Sequence, residues 1–377
     1  AASAELSRME TQSNTVGRSL RQAFSNKLIQ GFAYVVIATA TRAIRQIYTN
    51  VLELDKAITD LQIATGNTRE ETTELVKEYA KLAKEIGATT TEVAAAADTW
   101  LRQGYSVAEA NQLIVDTMML SKLGQLDSAE ASKALTSAMK GYKVAVEDAM
   151  GIVDKFTAVD MEAAVSAGDI ATAMAETAAS ADIAGVSMDT LIGYIATVAE
   201  VTQDGAESVG TFYKTLFARM GNVKAGKFVD DETGESLNDV EKVLSSLDIT
   251  MRNEKGTFRD FSEVLDEVAG KWETYDNIQQ HAIATAFAGT RQQEKFMVLM
   301  ENYGSALDYA NTAANSAGSA QDKYGSAYLD SIEAKMNALT ASWQEFSMTL
   351  LDSDIIKFLV DVLNGIVNIL NAVFSLG

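Results

Sequence analysis

The sequence predicts an all-α protein: a bundle of short antiparallel helices with one small β-hairpin at about 248–259 and longer helices at both ends. Two observations carry most of this. There is no proline in 377 residues, where average usage would supply about 19. Proline removes an N–H and clashes with the preceding turn, so its absence leaves helix unopposed almost everywhere. The second observation is a regular cadence of helix-start and helix-stop signals from Thr68 onward.

Residues 1–67 read as lead-in helices. Leu20 and Phe24 sit one turn apart in a polar stretch, and 28–52 (LIQGFAYVVIATATRAIRQIYTNVL) is more apolar. Its densest run, Phe32 to Ala40, is about half of the ~20 residues a membrane span needs. This favours a buried or oligomer-facing helix. The chain opens AASAELSRME, with no basic start before an apolar run. That excludes a signal-peptide pattern, and the missing Met suggests a piece of a longer chain.

Residues 68–310 form the expected helical body. Thr68/Glu71, Thr89/Glu92 and Ser106/Glu109 match the capping box, in which each end supplies a bond to the other's backbone N–H. The first helix places Leu75, Tyr79, Leu82 and Ile86 on one face. Gly87, Gly104, Gly124 and Gly141 fall where helices should stop. Gly87, Gly104 and Gly124 are followed 81 residues later by Gly168, Gly185 and Gly205, and Ser106 by Ser187. Two readings stay open: a duplicated unit, 87–141 and 168–221, or the cadence any array of helical hairpins produces.

Residues 221–236 (GNVKAGKFVDDETGES) interrupt the pattern as an exposed acidic loop. A short helix near 237–246 precedes DITMRNEKGTFRDF. There Ile249 and Met251 alternate with polar residues and Asn253–Gly256 offer turn chemistry, which predicts the hairpin. Helices resume from Phe261 through Tyr309. Residues 311–326 (NTAANSAGSAQDKYGS) are small and polar and read as a hinge. A long helix is expected over about Ala327–Leu351, completing a C-terminal region of 327–377.

The last 23 residues carry Lys357, Asp361, Asn364, Asn368, Asn371 and Ser375 at steps of 4, 3, 4, 3 and 4 on an otherwise apolar stretch. This is a narrow polar stripe at heptad spacing. It fits an oligomer-inserted helix with the stripe outward. It equally fits a bundle in a bilayer with the stripe inward, where asparagines bond across helices.

The chemical inventory points away from catalysis. The chain has no cysteine and one histidine, so thiol chemistry and cysteine-based zinc sites are excluded. His281 has no second histidine or evident acid partner and reads as a partly buried structural residue. Asp230-Asp231-Glu232 fails the EF-hand pattern and reads as a solvated turn. No phosphate-loop or nucleophile-elbow motif occurs. No catalytic, cofactor or metal residues are expected. A formal charge of −21 argues against a general phosphate-binding surface, and so against nucleic-acid binding.

Several ordered segments resemble the core region of phage tail tape-measure proteins of the TP901 type. They are LDKAITDLQIATGNT (54–68), KEYAKLAKEIGATTTEVAAAADTWLRQGYS (77–106) and MMLSKLGQLDSAEASKALTSAMKGY (118–142). VAEVTQDGAESVGTFYKTLFARM (198–220) and FAGTRQQEKFMVLMENY (287–303) follow. The likeness covers about 28–305. It departs from the family in lacking proline and in the acidic 221–236 segment.

The resemblance implies a structural protein of the virion that lies in the tail tube lumen or tip. Such a protein sets tail length during tube assembly and leaves ahead of the DNA, aiding genome passage through the host membrane. It implies the tail tube protein, distal tail or baseplate proteins and tail-assembly chaperones as partners, homo-oligomers, and host cytoplasm as the site of assembly. The alternative from another class is a membrane-active effector whose flanking apolar helices insert and oligomerise. The capped short helices predict a folded domain over 68–309 rather than one continuous rod.

Overall fold

The computed structural model describes residues 49–224, 238–255 and 258–349. The chain divides into two units, residues 1–59 with 342–377, and residues 60–341. Of the first unit the described residues are 49–59 and 342–349, nearly all helical. The apolar lead-in before residue 49, the acidic Asp230–Glu232 and the stripe from Lys357 to Ser375 lie outside the described residues.

The second unit is mostly helical. After α1 (49–65), which enters this unit at Asp60, come α2 (Arg69–Glu85), α3 (Thr90–Arg102), α4 (Val107–Gly124), α5 (Ser128–Tyr142) and α6 (Ala149–Asp160). They are followed by α7 (Ala167–Ala184), α8 (Met188–Thr202), α9 (Ala206–Lys224) and α10 (Asn238–Ser246). The remaining helices are α11 (Phe261–Lys271), α12 (Asn277–Ala288), α13 (Gln293–Glu301), α14 (Tyr303–Ala314), α15 (Ser319–Lys323) and α16 (Ile332–Met348), whose residues from Ser342 onward belong to the first unit.

The helix starts are chemically specified. Thr68/Glu71, Thr89/Glu92 and Ser106/Glu109 all close reciprocal capping boxes, and Asp127/Glu130 and Asp276/Gln279 form two more. Each satisfies backbone donors that the first turn leaves without partners. The hydrogen bonds from Thr68 hold the Glu71 carboxyl below its ordinary range.

The stops are less literal. Gly87 and Gly104 take φ of +62° and +91° as expected. Beyond α4 and α5, however, the left-handed residues are Gln125 and Lys143. Gly141 lies inside α5 and serves another purpose.

That purpose is close packing on α7. This helix is rich in alanine, and Ala167, Ala171, Ala173, Ala178, Ala181 and Ala184 are all buried along it. Helices α4, α5, α6, α8 and α9 all touch it. Small side chains let helix axes approach closely, and glycine on the neighbouring helix allows more. A Cβ on Gly141 of α5 would lie 2.8 Å from the Ala178 Cβ and 3.0 Å from its carbonyl carbon. On Gly210 of α9 it would lie 2.9 Å from the Ala173 carbonyl oxygen.

The later helices combine close approach with aromatic packing: a Cβ on Gly193 of α8 would lie 2.1 Å from the Ala306 carbonyl oxygen of α14. Tyr213 Oη donates to the Tyr194 carbonyl at 2.6 Å, Tyr194 and Tyr303 share a hydroxyl bond of 2.8 Å, and Tyr303 Oη donates to Asp266 at 2.7 Å. Phe217, Phe261, Phe287 and Phe296 follow ring to ring, with centroids 5.5, 6.1 and 4.9 Å apart.

The expected hairpin at 248–259 is not shown. Among the described residues no strand forms, and a lone antiparallel bridge pairs Arg252 with Phe258. Two strands without a third are marginal in water. Here Ile249 and Met251 are held by burial, and the Arg252 guanidinium lies 3.9 Å from the Phe258 ring centre. Residues 311–326, read from sequence as a hinge, run through the end of α14, α15 and part of a π-helical turn, Tyr324–Tyr328.

The 81-residue spacing has mixed structural content. Gly104 and Gly185 share a left-handed φ (+91° and +83°), and each precedes a serine N-cap by two residues. Gly87 is likewise left-handed, whereas its counterpart Gly168 lies within α7.

A paired substitution tests the packing around α7. Gly141→Ala should destabilise by about 1–3 kcal/mol, because the added methyl meets backbone that must shift. Gly151→Ala, in α6 with open space around its Cβ position, should be neutral or stabilise by up to ~1 kcal/mol. Urea denaturation of both variants provides the comparison.

Candidate interaction surface

Among the described residues no group of three or more His, Cys, Asp or Glu side chains is placed to hold a metal. His281 is exposed on α12 rather than partly buried. A cleft of about 500 Å³ between α5 and α7 is lined by Lys140, Lys143, Glu176, Asp182 and small side chains. Lys143 bonds Asp182 there at 2.8 Å, and Glu176 lies 3.7 and 3.8 Å from Lys133 and Lys214. No described helix is long and apolar enough to cross a membrane.

The feature that stands out is the way α16 is mounted. The chain approaching it is clamped to the helical body at several points. Asp154 of α6 accepts the backbone N–H groups of Gly318 and Ala320, both at 2.9 Å, at the start of α15. Lys323 bonds Asp160 at 2.8 Å. Tyr324 Oη donates to the Ile86 carbonyl, and Tyr328 Oη donates to that of Gly87 at 2.8 Å. Asn337 of α16 then donates to Tyr328 Oη at 3.2 Å.

Gly87 is required twice over. Its φ is +62°, and a Cβ there would lie 2.8 Å from the Cβ of Ala334. The first turn of α16 therefore rests on bare backbone. Lys122 of α4 bonds Glu92 at 2.7 Å and lies 3.8 Å from Glu333. Burial raises the Glu92 pKa, but bonds from Lys122 and Thr89 outweigh it and leave the carboxyl below its ordinary range.

The exposure pattern of α16 is the reverse of the usual one. Its buried positions hold small or polar residues, Ala334, Ala341, Gln344 and Ser347, with Met348 the exception. Its bulky apolar residues are exposed: Ile332 (82%), Met336 (54%), Leu339 (52%), Trp343 (48%) and Phe346 (49%). They recur at steps of 4, 3, 4 and 3, the spacing of a coiled-coil seam. The sequence predicts a long helix here but not which of its faces is exposed. The spacing was visible in IEAKMNALTASWQEF, but spacing alone does not say which face is covered.

A model of the phage-related minor tail protein family matches residues 77–289, more than half of the chain. The chain belongs to that family. No solved structure matches it. The matched range of this minor tail protein runs from within α2 to the residue after α12, and so covers the body built on α7. The outward face of α16 lies beyond it. Membership implies a virion-associated, structural protein of the phage tail.

The clamp of the tail protein also contains a buried acid. Asp116 of α4 is 2% exposed, and its Oδ2 has no hydrogen-bond partner. Burial, and then the charge of Asp154, push its pKa up to about 7. An unfolded aspartate titrates near 3.9. Between about pH 4 and 7 the native state therefore holds more protons than the unfolded state, and this group makes stability fall as pH rises. Asp116→Asn should remove that dependence. Its melting temperature relative to the unsubstituted protein should climb from pH 4 to pH 7 and level off above. A difference constant with pH would contradict the assignment.

Proposed function

We propose that this chain is a segment of a tail tape-measure protein, a non-enzymatic component that sets tail length while the tube assembles and leaves ahead of the DNA. The observation that carries the reading is the family match lying over a packed helical body. The ordered TP901-type segments supply the finer assignment. In this reading the partners are the tail tube protein, distal tail or baseplate proteins and the assembly chaperones. The site of action is the tube lumen or tail tip.

The body from α2 to α14 is not the measuring stretch. As one rod, residues 69–314 would extend ~370 Å at 1.5 Å per residue. Instead the longest described helix there, α9, has 19 residues, or ~28 Å. The measured length belongs to another part of the parent protein. Passage of the genome through the host membrane is assigned to residues 355–377, whose apolar content matches a bilayer's thickness.

Phage unable to make the parent protein should give tubes of uncontrolled length, or none. Uniform tails of normal length would overturn the tape-measure reading. An in-frame deletion of 69–314 should not shorten tails by ~370 Å, whereas shortening in proportion to the deleted residues would show that the body is ruler after all. Release of dye from vesicles by the full chain, lost on removing 355–377, tests the membrane role. No release by either form removes it.

A further inference from the structure

We propose that residues 316–331 form a releasable strap, latched through its backbone on Asp154 and sprung by the negative charge that Asp116 gains on losing its proton. The strap lies within the second unit. It starts on α6, where Asp154 accepts the Gly318 and Ala320 N–H groups at 2.9 Å and Asp160 holds Lys323 at 2.8 Å. It ends on the turn between α2 and α3, where Tyr324 and Tyr328 donate to the Ile86 and Gly87 carbonyls. On the way it crosses α4, whose Met119 and Leu123 pack against Tyr324 and Tyr328.

Asp116 lies under that crossing. Helix positions three and seven apart share a face, so Asp116, Met119 and Leu123 form one row along α4. The two tyrosine rings cover the later part of the row. Asp154, which holds Ala320 one turn before Tyr324, is also the charge that acts on Asp116. The start of the row therefore meets the start of the strap. Asp116 is 2% exposed there, and its Oδ2 has no hydrogen-bond partner. Neutral, the carboxyl is tolerated; ionised, it is a buried charge without a counter-ion beside a second acid.

Among the described residues Asp154 is the one charged group that acts on Asp116. The other charges on the elements packed against α4 are engaged elsewhere or face solvent. On α6 and α15, Lys155 pairs with Asp189 and Lys323 with Asp160, while Asp322 is exposed. On α3, Asp98 pairs with Arg102, and Glu92 pairs with Lys122 of α4 itself. Glu109 caps its own helix at Ser106. The charged residues of α5 and of the 3-10 turn Val146–Asp148 are exposed, as is Asp169 of α7. Glu176 and Asp182 of α7 face Lys133 and Lys143.

The strap is the part that can yield. Helix α15 has five residues and the π-helical turn after it five more, so neither has much hydrogen-bond ladder of its own. Its fastenings are individual side-chain bonds, and segments held in that way open before the fold does. Opening admits water to Asp116 and Asp154 and so relieves the buried charge. Closed, Asp116 keeps its proton up to about pH 7; open, it titrates as an ordinary aspartate, near 3.9. Opening therefore releases a proton between about pH 4 and 7 and is favoured about tenfold per pH unit in that window. Above it both states are ionised and the dependence ends. The device rests on these contacts alone, whatever part the protein plays in the tail.

The test is hydrogen exchange of the full chain at pH 5, 6, 7 and 8, corrected for the intrinsic rate and read by mass spectrometry in peptides covering 316–331 and 167–184. The strap's opening constant should rise about tenfold per unit from pH 5 to 7 and level off by pH 8. It should exceed that of α7 at each pH, because the body stays closed. In Asp116→Asn it should not change with pH. Tyr324→Phe, which removes one fastening, should raise it roughly two- to tenfold at every pH with the same slope.

Strap opening that is flat from pH 5 to 7, or a slope that survives Asp116→Asn, would overturn the proposal. So would one opening constant shared by the strap and α7, since the charge would then act on the whole fold and no strap would open. The pH profile and the comparison with α7 need only the unsubstituted chain, so they decide the matter even where Asp116→Asn fails to fold.

Discussion

The body of this protein depends on how closely helices can approach α7. Alanine is the smallest side chain that still favours helix, and α7 presents it on several sides at once. Five helices therefore pack on one axis, where a leucine-rich helix of the same length would hold its neighbours farther away. Close approach also sets strict terms for those neighbours. Gly141 and Gly210 sit where even a methyl group would strike backbone. What the core lacks in side-chain volume is supplied by contact between main chains.

The rest follows from that arrangement. With α4 and α6 fixed against α7, Asp116 and Asp154 are brought near each other in the interior, and Asp154 can receive the chain returning at Gly318. The return positions Tyr324 and Tyr328 over Ile86 and Gly87, and Gly87 in turn admits Ala334. Each step uses a small residue or a backbone group as its receiving surface. The result is that the first turn of α16 is seated through Ala334, with Ile332 and Met336 exposed.

Much of the scaffold was legible in the sequence, for local reasons. Capping boxes such as Thr68/Glu71 and Ser106/Glu109 are closed within four residues, so no tertiary knowledge was needed to find them. Gly87 and Gly104 end helices through their own backbone freedom. Gly141 reads identically in one dimension, yet its role is set by Ala178, a residue of another helix. The 248–259 segment alternates as a strand should, but pairing needs a partner edge that the fold does not supply. The exposure of the apolar stripe of α16 is not legible in the sequence for a related reason. A stripe of apolar residues predicts that a helix face will be covered, and only the placement of Ala334 against Gly87 shows which face of the first turn is covered.

The role of α7 is tested most directly by native-state hydrogen exchange resolved along the chain. If the other helices are held through α7, its buried amides should exchange only on global unfolding, and no helix of the body should be better protected. Exchange of α7 amides by local opening, at rates above those of α12 or α13, would show that the body is held together elsewhere.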